Sequence, residues 1–395
     1  MNIELMRFVD YWVGIPLCFL LSLSAGLGKA NSKKPRKAAF VKLSEMGAII
    51  LAYPFLSAVK KGLPDGEMFF VTFQRNKDIF QLLPGMVKDK NIFTIRDNAG
   101  FSAFIADTFQ VIRRLRREKI DIIFDLEFFS RFTAILVYLS GAVKRIGFFR
   151  YNYEGLYRGN LFTHRVQYNP HLHISKTYLS LWQVMKEEKE KISPDLGEKI
   201  EDKDIILPQV VPGEKESVEI KNILNESGVA AGSRLFLLNP GEGLLPLREW
   251  PLENFISLSK KILEDNRNYI LLTGTKEAAK KAESLLKAVN NQRCVNLVNK
   301  TQISQLPALF AVSEALIAND CGLAHIASLS PIKKIIIFGP ESPRVFGPLG
   351  MNTCVFYSEL ACSPCLSAFN HRKSSCKDSK CLKEITWESV YSFIK

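Results

Sequence analysis

Residues 315–350 read ALIANDCGLAHIASLSPIKKIIIFGPESPRVFGPLG, and this stretch decides the fold. Ala315 to Ala318 is a short apolar run that stops at Asn319-Asp320. Cys321-Gly322 makes a turn, and Leu323 to Leu329 reads as a helix. Lys333 to Phe338 is a second buried run, with Ile335, Ile336 and Ile337 in succession, and Gly339-Pro340 ends it. An apolar run bounded by turn residues, then a helix, then another such run, is a βαβ unit with a parallel sheet. Ligands of such sheets bind beyond the carboxyl ends of the strands. Asp320, Gly322, His325 and Gly339 fall there. A helix starting right after Gly322 would aim free backbone N–H groups at a phosphate.

Working outward, Arg234 to Leu238 is a strand closed by Asn239-Pro240-Gly241-Glu242-Gly243. That turn is not GxGxxG, so it carries no dinucleotide fingerprint. Arg248-Glu249-Trp250-Pro251 leads into an amphipathic helix with Phe255, Leu258, Ile262 and Leu263 inward. Tyr269 to Leu272 is the next strand and ends in Thr273-Gly274-Thr275-Lys276-Glu277. Strands thus end in polar turns at Gly241, Gly274, Gly322 and Gly339, which share one edge of a parallel sheet. Doubly wound folds place glycines there whatever they bind. Together with Asp320, His325 and Arg248, however, the set suits a nucleotide diphosphate. Backbone N–H groups would face the phosphates, Arg248 would be a fixed cation, and Glu277 would accept a ribose hydroxyl.

The amino-terminal half has the same rhythm. Lys37 to Leu43 is a buried strand ending in Ser44-Glu45-Met46-Gly47, and Ala48 to Lys60 is a helix that Pro54 kinks or divides. Glu67 to Phe73, Ile79 to Leu83, Asn91 to Ile95, Asp121 to Leu126 and Lys144 to Phe148 read as further strands. Alternation of strands and helices predicts a second doubly wound sheet. Phe148 to His173 is aromatic and basic, a composition suited to a sugar- or phosphate-bearing ligand. Lys186 to Val218, charged and with Pro194, Pro208 and Pro212, reads as the linker.

A chain of 395 residues holds two ordinary domains. Its net charge of +13 points to an anionic partner. Without a helix-turn-helix, an RNA-binding aromatic signature or a zinc-finger pattern, nucleic acid is excluded in favour of an anionic membrane or substrate. Tyr11 to Gly28 is free of charge, about as long as the shortest membrane-spanning helix, and is followed by Lys29, Lys33, Lys34, Arg36 and Lys37. A secretory signal carries its positive charge before the apolar core. The reverse order here predicts a membrane-lying or re-entrant anchor with the following domain on the cytoplasmic side. The alternative is a helix packed on the protein's own core.

Taken as a set, these motifs resemble the heptosyltransferase family, glycosyltransferase family nine. NDCGLAHIASLS with IIIFGPESPRVFGPL, LNPGEG…REWP and the LLTGTKE turn are similar to its donor site. KLSEMGAIILAYPFLSAVKK and DIIFDLEFFSRFTAILVYLSGAVKRIGF are similar to its amino-terminal strands. The resemblance implies an α/β GT-B architecture, two Rossmann-like doubly wound domains facing across a cleft. The hydrophobic, membrane-associating segment and its basic cluster occupy 1–36; from about Lys37 on, the resemblance implies an acceptor domain (37–205), a nucleotide-sugar donor domain (206–360), and a cysteine-rich clasp with a closing helix (361–395). The implied reaction is inverting, metal-independent transfer of a heptose-like sugar from a nucleotide-diphosphate donor, ADP-heptose-like, with no catalytic cofactor. The acceptor would be an anionic lipopolysaccharide-core or other envelope glycolipid at the cytoplasmic face of the inner membrane. Gly241, Gly274, Glu277, Asp320, Gly322, Leu323, His325 and Gly339 are the implied donor-binding residues. Glu127, Arg131 and Arg150 are the acceptor-binding ones, and Arg248 falls where relatives have lysine.

One position departs from the family. The first turn of relatives reads Gly-Asp, and that aspartate is the proposed general base. Here the turn reads Gly47-Ala48, and alanine takes no proton. Glu45, three residues earlier on the turn, is the substitute base this sequence offers. The competing reading is a catalytically weak or inactive member that binds the nucleotide sugar; a third is a GT-B enzyme of another type, such as a sugar-nucleotide epimerase.

Near the carboxyl terminus, Cys362, Cys365, Cys376 and Cys381 are spaced C-x2-C-x10-C-x4-C. Such a cluster reads first as a structural zinc site, with two disulfides or an iron–sulfur cluster as alternatives.

Overall fold

The computed structural model describes residues 3–25, 35–149, 156–185, 192–193, 200–241 and 246–394. The chain divides into two compact units, Met1–Ile206 and Leu207–Lys395.

The first unit is built on strands β1 (Lys37–Val41), β2 (Glu67–Phe73), β3 (Ile92–Ile95), β4 (Ile122–Asp125), β5 (Lys144–Phe149), β6 (His164–Gln167) and β7 (Ile192–Ser193). They form one parallel sheet in the order β3-β2-β1-β4-β5-β6-β7. Its helices are α1 (Ile3–Trp12), α2 (Gly14–Ser22), α3 (Met46–Leu51), α4 (Tyr53–Gly62), α5 (Phe101–Glu118), α6 (Arg131–Leu139) and α7 (Ile174–Met185). Strand order reverses between β1 and β4, so the ends of those two strands flank the switch point.

The expected helix over Ala48 to Lys60 is two helices that meet at Ala52. Pro54 lies in the first turn of α4, where a missing N–H costs nothing. Ile79 to Leu83 is not a strand. It lies on a 3₁₀ segment, Gln74–Leu82, whose buried residues Asn76, Ile79, Phe80 and Leu82 follow helical spacing rather than alternation. Among the described residues of the aromatic and basic stretch 148–173, several polar side chains are core rather than surface. Arg158, His164 and Tyr168 are buried, and Tyr168 packs on Phe128 and Phe148.

The apolar amino-terminal segment docks along one side. Pro16 removes the N–H that would bond Trp12, and the helix breaks at Val13. On the docked side Cys18 is buried, a Cβ at Gly14 would stand 2.8 Å from Arg131 Cβ, and the Asn160 N–H donates to Ser22 Oγ at 2.8 Å. Asp10 caps α6, accepting from the backbone N–H of Arg131 and Phe132 at 2.9 Å each. The outward side is apolar: Leu5, Phe8, Trp12, Phe19, Leu20 and Leu23 are all exposed. The window Leu5–Ser22 is long and apolar enough to cross a membrane, by length and composition only. One face of the segment thus packs on the protein's core and the other is open.

The second unit carries β8 (Arg234–Asn239), β9 (Asn268–Leu272), β10 (Cys294–Asn296), β11 (Ala315–Asn319), β12 (Lys333–Ile337) and β13 (Thr353–Phe356). Its parallel sheet runs β10-β9-β8-β11-β12-β13. Its helices are α8 (Glu214–Glu226), α9 (Leu252–Ile262), α10 (Ala279–Val289), α11 (Leu306–Ala311), α12 (Gly322–Ala327), α13 (Pro343–Phe346), α14 (Lys380–Lys383) and α15 (Trp387–Ser392). The end of the expected linker is already helical, in α8. Ile317, Ile335 and Ile337 are fully buried, as strands covered on both faces must be. Trp250 is buried; its Nε1 donates to the Ile385 carbonyl at 2.8 Å and its ring packs against Phe255. The carboxyl-terminal helix α15 completes this core, with Val390 fully buried and Trp387 and Tyr391 against it.

The fold class is α/β, with two Rossmann-like doubly wound sheets. The first unit's order over its first six strands, and the whole order of the second, are those of a dinucleotide-type fold.

Candidate functional site

In the second unit the switch point lies between β8 and β11. Asn239 ends β8 and Asn319 ends β11, and both amides serve the backbone. Asn239 Oδ1 accepts from the Gly241 N–H at 3.1 Å, and Asn319 Oδ1 accepts from the Trp250 N–H at 3.0 Å. The second of these bonds ties the segment after β8 to the end of β11 and so sets Arg248 two residues before the anchor. Arg248 is buried. Its Nη2 donates to Glu341 Oε1 at 2.5 Å, and its Nε lies 3.6 Å from Asp320 Oδ2. Asp320 and Glu341 are themselves only 4% and 1% exposed. Burial raises the Asp320 carboxyl above its ordinary range, and the Arg248 guanidinium opposes this. Arg372, from the cysteine-bearing loop, closes the chain of charges with its Nε 3.1 Å from the same Glu341 oxygen. Four charged groups of alternating sign thus line the ends of β8, β11 and β12.

The glycine turns stand beside them. Gly274 has φ of +145°, and a Cβ there would meet Ala278 at 2.9 Å; a Cβ at Gly241 would meet the same residue at 2.7 Å. At both glycines the missing side chain leaves room for the Ala278 methyl. At Gly339 a Cβ would collide with Leu382 at 2.5 Å, because the carboxyl-terminal segment packs on the end of β12. Gly322 opens α12 and Leu323 follows, half-buried; His325 is buried one turn along. This helix ends at Ala327, shorter than the sequence suggests, so its dipole is small. Glu277 is exposed beyond β9 and accepts the Thr275 hydroxyl at 2.5 Å.

In the first unit the switch point between β1 and β4 is filled by the chain itself. Glu127 Oε1 accepts from the Leu43 and Ser44 N–H groups at 2.8 Å each, and Oε2 accepts from Lys42 Nζ at 2.9 Å. Burial alone would raise this carboxyl, but Lys42 and the two N–H groups outweigh it and hold Glu127 below the usual carboxylate range. Arg131 is 1% exposed and its Nη1 donates to Asp10 at 3.2 Å. Glu127 and Arg131 therefore face their own unit, Glu127 as an internal anion on the end of β1 and Arg131 as part of the contact with α1. Arg150 lies outside the described residues. Glu45 is half-buried at the start of α3 with φ of +60°, a backbone conformation that side-chain-bearing residues seldom adopt. Such outliers collect at functional sites.

The comparisons with known proteins agree with this geometry. The sequence profile described as Glycosyltransferase family 9 (heptosyltransferase) matches residues 108–375, more than half of the chain.

The chain belongs to glycosyltransferase family 9.

Among curated relatives in the family, Lipopolysaccharide heptosyltransferase 2 of Salmonella typhimurium is 26% identical over 172 residues, 42% of this chain and 49% of the relative. Lipooligosaccharide heptosyltransferase 2 of Haemophilus ducreyi is 31% identical over 121 residues, 29% of this chain and 34% of the relative. The matched part spans about half the length of such relatives or less. Solved structures match over more of the chain. E. coli ADP-heptose lps heptosyltransferase II gives a TM-score of 0.67 at 18% identity, covering 90% of this chain and 96% of that one. E. coli heptosyltransferase WaaC with ADP gives 0.61 at 15% identity, covering 91% and 98%. At these identities the structures establish the fold, that of the GT-B class.

No disulfide joins Cys362, Cys365, Cys376 and Cys381 in this structure. Among the described residues no three His, Cys, Asp or Glu side chains are grouped to hold a metal ion. Cys381 is buried at the start of α14, Cys362 and Cys376 are exposed, and Cys365 Sγ accepts the Ser374 hydroxyl at 3.3 Å.

Sequence reasoning missed Glu341 and Arg372. Glu341 stands four residues after the last residue of β12, on the edge where ligands bind, and that position was the available signal. Nothing in the sequence ties Arg372 to it.

Proposed function

We propose that this family 9 chain is a glycosyltransferase whose second unit holds a nucleoside-diphosphate sugar, with a heptose-like sugar and an envelope glycolipid as acceptor. The observation that carries the reading is the buried guanidinium of Arg248, set between Asp320 and Glu341 at the switch point of a doubly wound sheet. An acceptor hydroxyl would attack the anomeric carbon from the face opposite the diphosphate, inverting that centre. The bond from the anomeric carbon to the phosphate oxygen breaks, its electron pair leaves with the diphosphate, and the hydroxyl proton passes to a base. Arg248 would meet the charge that grows on the leaving group, the task a metal performs in other transferases. Asp320, Gly322, Leu323, His325, Gly241, Gly274 and Gly339 would shape the donor pocket, and Glu277 would accept a ribose hydroxyl. Glu45 is the carboxylate placed on the first turn, where Ala48 supplies none.

The same alanine favours a second reading, a member that binds the donor without turning it over. The discriminating experiment offers labelled ADP-, UDP- and GDP-sugars to the full chain, with heptose-deficient envelope glycolipid as acceptor. Product formation supports transfer, and donor binding without product supports the second reading. Neither binding nor product overturns both.

The open apolar side of α1 and α2 fits the cytoplasmic surface of an inner membrane. Exposed Phe8, Trp12, Phe19 and Leu20 would lie at the headgroup boundary, and the surplus of lysine and arginine would favour anionic lipid. Sedimentation with phosphatidylglycerol vesicles tests this. The native chain should pellet, while a Phe8→Ser/Trp12→Ser/Leu20→Ser variant should remain in the supernatant. Equal sedimentation of the two would refute it.

A further inference from the structure

We infer that Arg372 is a positioning residue for the donor diphosphate, acting through Glu341 on Arg248. The inference rests on the donor reading above and assigns a part to the cysteine-bearing loop, 31 residues after Glu341 in the sequence.

The argument begins with charge. Glu341 is 1% exposed and its Oε1 receives both guanidiniums, Arg248 at 2.5 Å and Arg372 at 3.1 Å. Arg248 also faces Asp320 at 3.6 Å. Among these four described side chains two cations face two carboxylates. Without Arg372 one positive charge fewer would face Asp320 and Glu341, and the potential met by a diphosphate would be more negative. Interaction between buried charges falls off slowly, because little water screens them. By sharing Glu341, Arg372 also loosens the hold of that carboxylate on Arg248, which leaves more of the Arg248 charge for an incoming anion.

The loop is built to hold Arg372 there. The Cys365 and Leu366 N–H groups both donate to the Pro340 carbonyl at 2.9 Å, one residue from Glu341, and the Ser363 hydroxyl donates to the Gly339 carbonyl at 2.5 Å. The loop is thereby pinned to the end of β12. His371 and Arg372 have φ of +50° and +55°, two consecutive side-chain-bearing residues in the left-handed region. Residues that bear a side chain disfavour this backbone, so the surroundings must over-determine the conformation. The Arg372 N–H donates to the Ser367 carbonyl at 3.0 Å, and its guanidinium lies over the Phe346 ring at 5.1 Å. These contacts fix the direction of a side chain whose head reaches Glu341.

The test is ADP binding to the full chain by calorimetry, with pyrophosphate as competitor, for the native protein, Arg372→Gln, Arg372→Lys and the double variant Arg372→Gln/Glu341→Gln. Arg372→Gln should weaken ADP binding about 10-fold, and Arg372→Lys, which keeps the charge but loses the planar head over Phe346, should fall between that variant and native. The double variant, which removes one charge of each sign, should recover to within about 3-fold, because the two residues act through one another. A purely structural role gives no such recovery, since losing both partners then costs at least as much as losing one. Native-like binding by Arg372→Gln, or a double variant as weak as the single, overturns the inference while leaving the donor reading intact. Failure of the native chain to bind ADP, UDP, GDP or pyrophosphate overturns both. Should Arg372→Gln not unfold cooperatively, the comparison of native with Glu341→Gln decides. Glu341→Gln must bind at least as tightly as native; weaker binding refutes the charge argument.

Discussion

Replacing Arg248 with glutamine tests the candidate site through stability as well as binding. In the folded chain Arg248 faces Asp320 at 3.6 Å and Glu341 at 2.5 Å, and both carboxylates are buried. Removing one partner of a buried pair costs about 3–5 kcal/mol, because a charge is left without compensation. Glu341 keeps Arg372, so the loss falls chiefly on Asp320 and the lower end, about 3 kcal/mol, is expected. The sign of the pH dependence follows from Asp320. Burial already raises its carboxyl and Arg248 opposes that, so without Arg248 it rises further above its unfolded value. Between those two values the folded variant binds more protons than the unfolded chain. Its stability therefore falls as pH rises through that window and recovers as pH drops. Chemical denaturation of native and Arg248→Gln chains at pH 5, 6, 7 and 8 should show a gap largest at pH 8 and smallest at pH 5. The same variant should bind ADP about 10- to 100-fold more weakly, from the loss of charge-assisted hydrogen bonds of about 1.5–3 kcal/mol. A gap that does not change with pH, or a variant as stable as the native chain, would refute the placement of a charged Asp320 beside Arg248.

Other consequences can be checked in the same way. Glu127→Gln leaves Lys42, 1% exposed, without its counter-charge and should lower the stability of the first unit by about 3 kcal/mol or more; an unchanged denaturation midpoint would contradict this. Burial, aided by Lys144 and Arg145, pushes His164 down to about 4. The unfolded chain, with histidine near 6.5, then takes up the proton first. Stability should fall as pH drops from about 6.5 to about 4, by an amount on the order of 3 kcal/mol, and His164→Leu should remove that slope; parallel acid profiles for the two chains would exclude it. Glu45→Gln should abolish transfer while ADP binding persists, and full turnover by that variant would take Glu45 out of the mechanism.

Much of the second unit is legible in the sequence because its strands are continuous apolar runs that no helix period explains. Ala315 to Ala318 and Ile335 to Ile337 are such runs, and their glycine-bearing turns mark the sheet edge where ligands bind. The hydrogen-bond partners of charged residues are not legible. Glu127 and Arg131 follow a strand in the same manner as Asp320, yet their partners are the chain's own N–H groups and Asp10. A sequence shows that a carboxylate sits on an edge and not which way it faces. Arg372 was hidden for a related reason: its tie to Glu341 runs through a loop whose left-handed residues are not glycines. Hydropathy found the amino-terminal segment but could not show that Asp10, Gly14 and Cys18 put one side of it on α6.

The central claim is that a nucleoside-diphosphate sugar is held at the ends of β8 and β11, and a crystal structure of the full chain grown with ADP tests it most directly. The account predicts the diphosphate within hydrogen-bonding distance of the Arg248 guanidinium, beside Asp320 and Gly322. An ordered nucleotide bound elsewhere on the chain, with Arg248 still closed on Asp320 and Glu341, would contradict it.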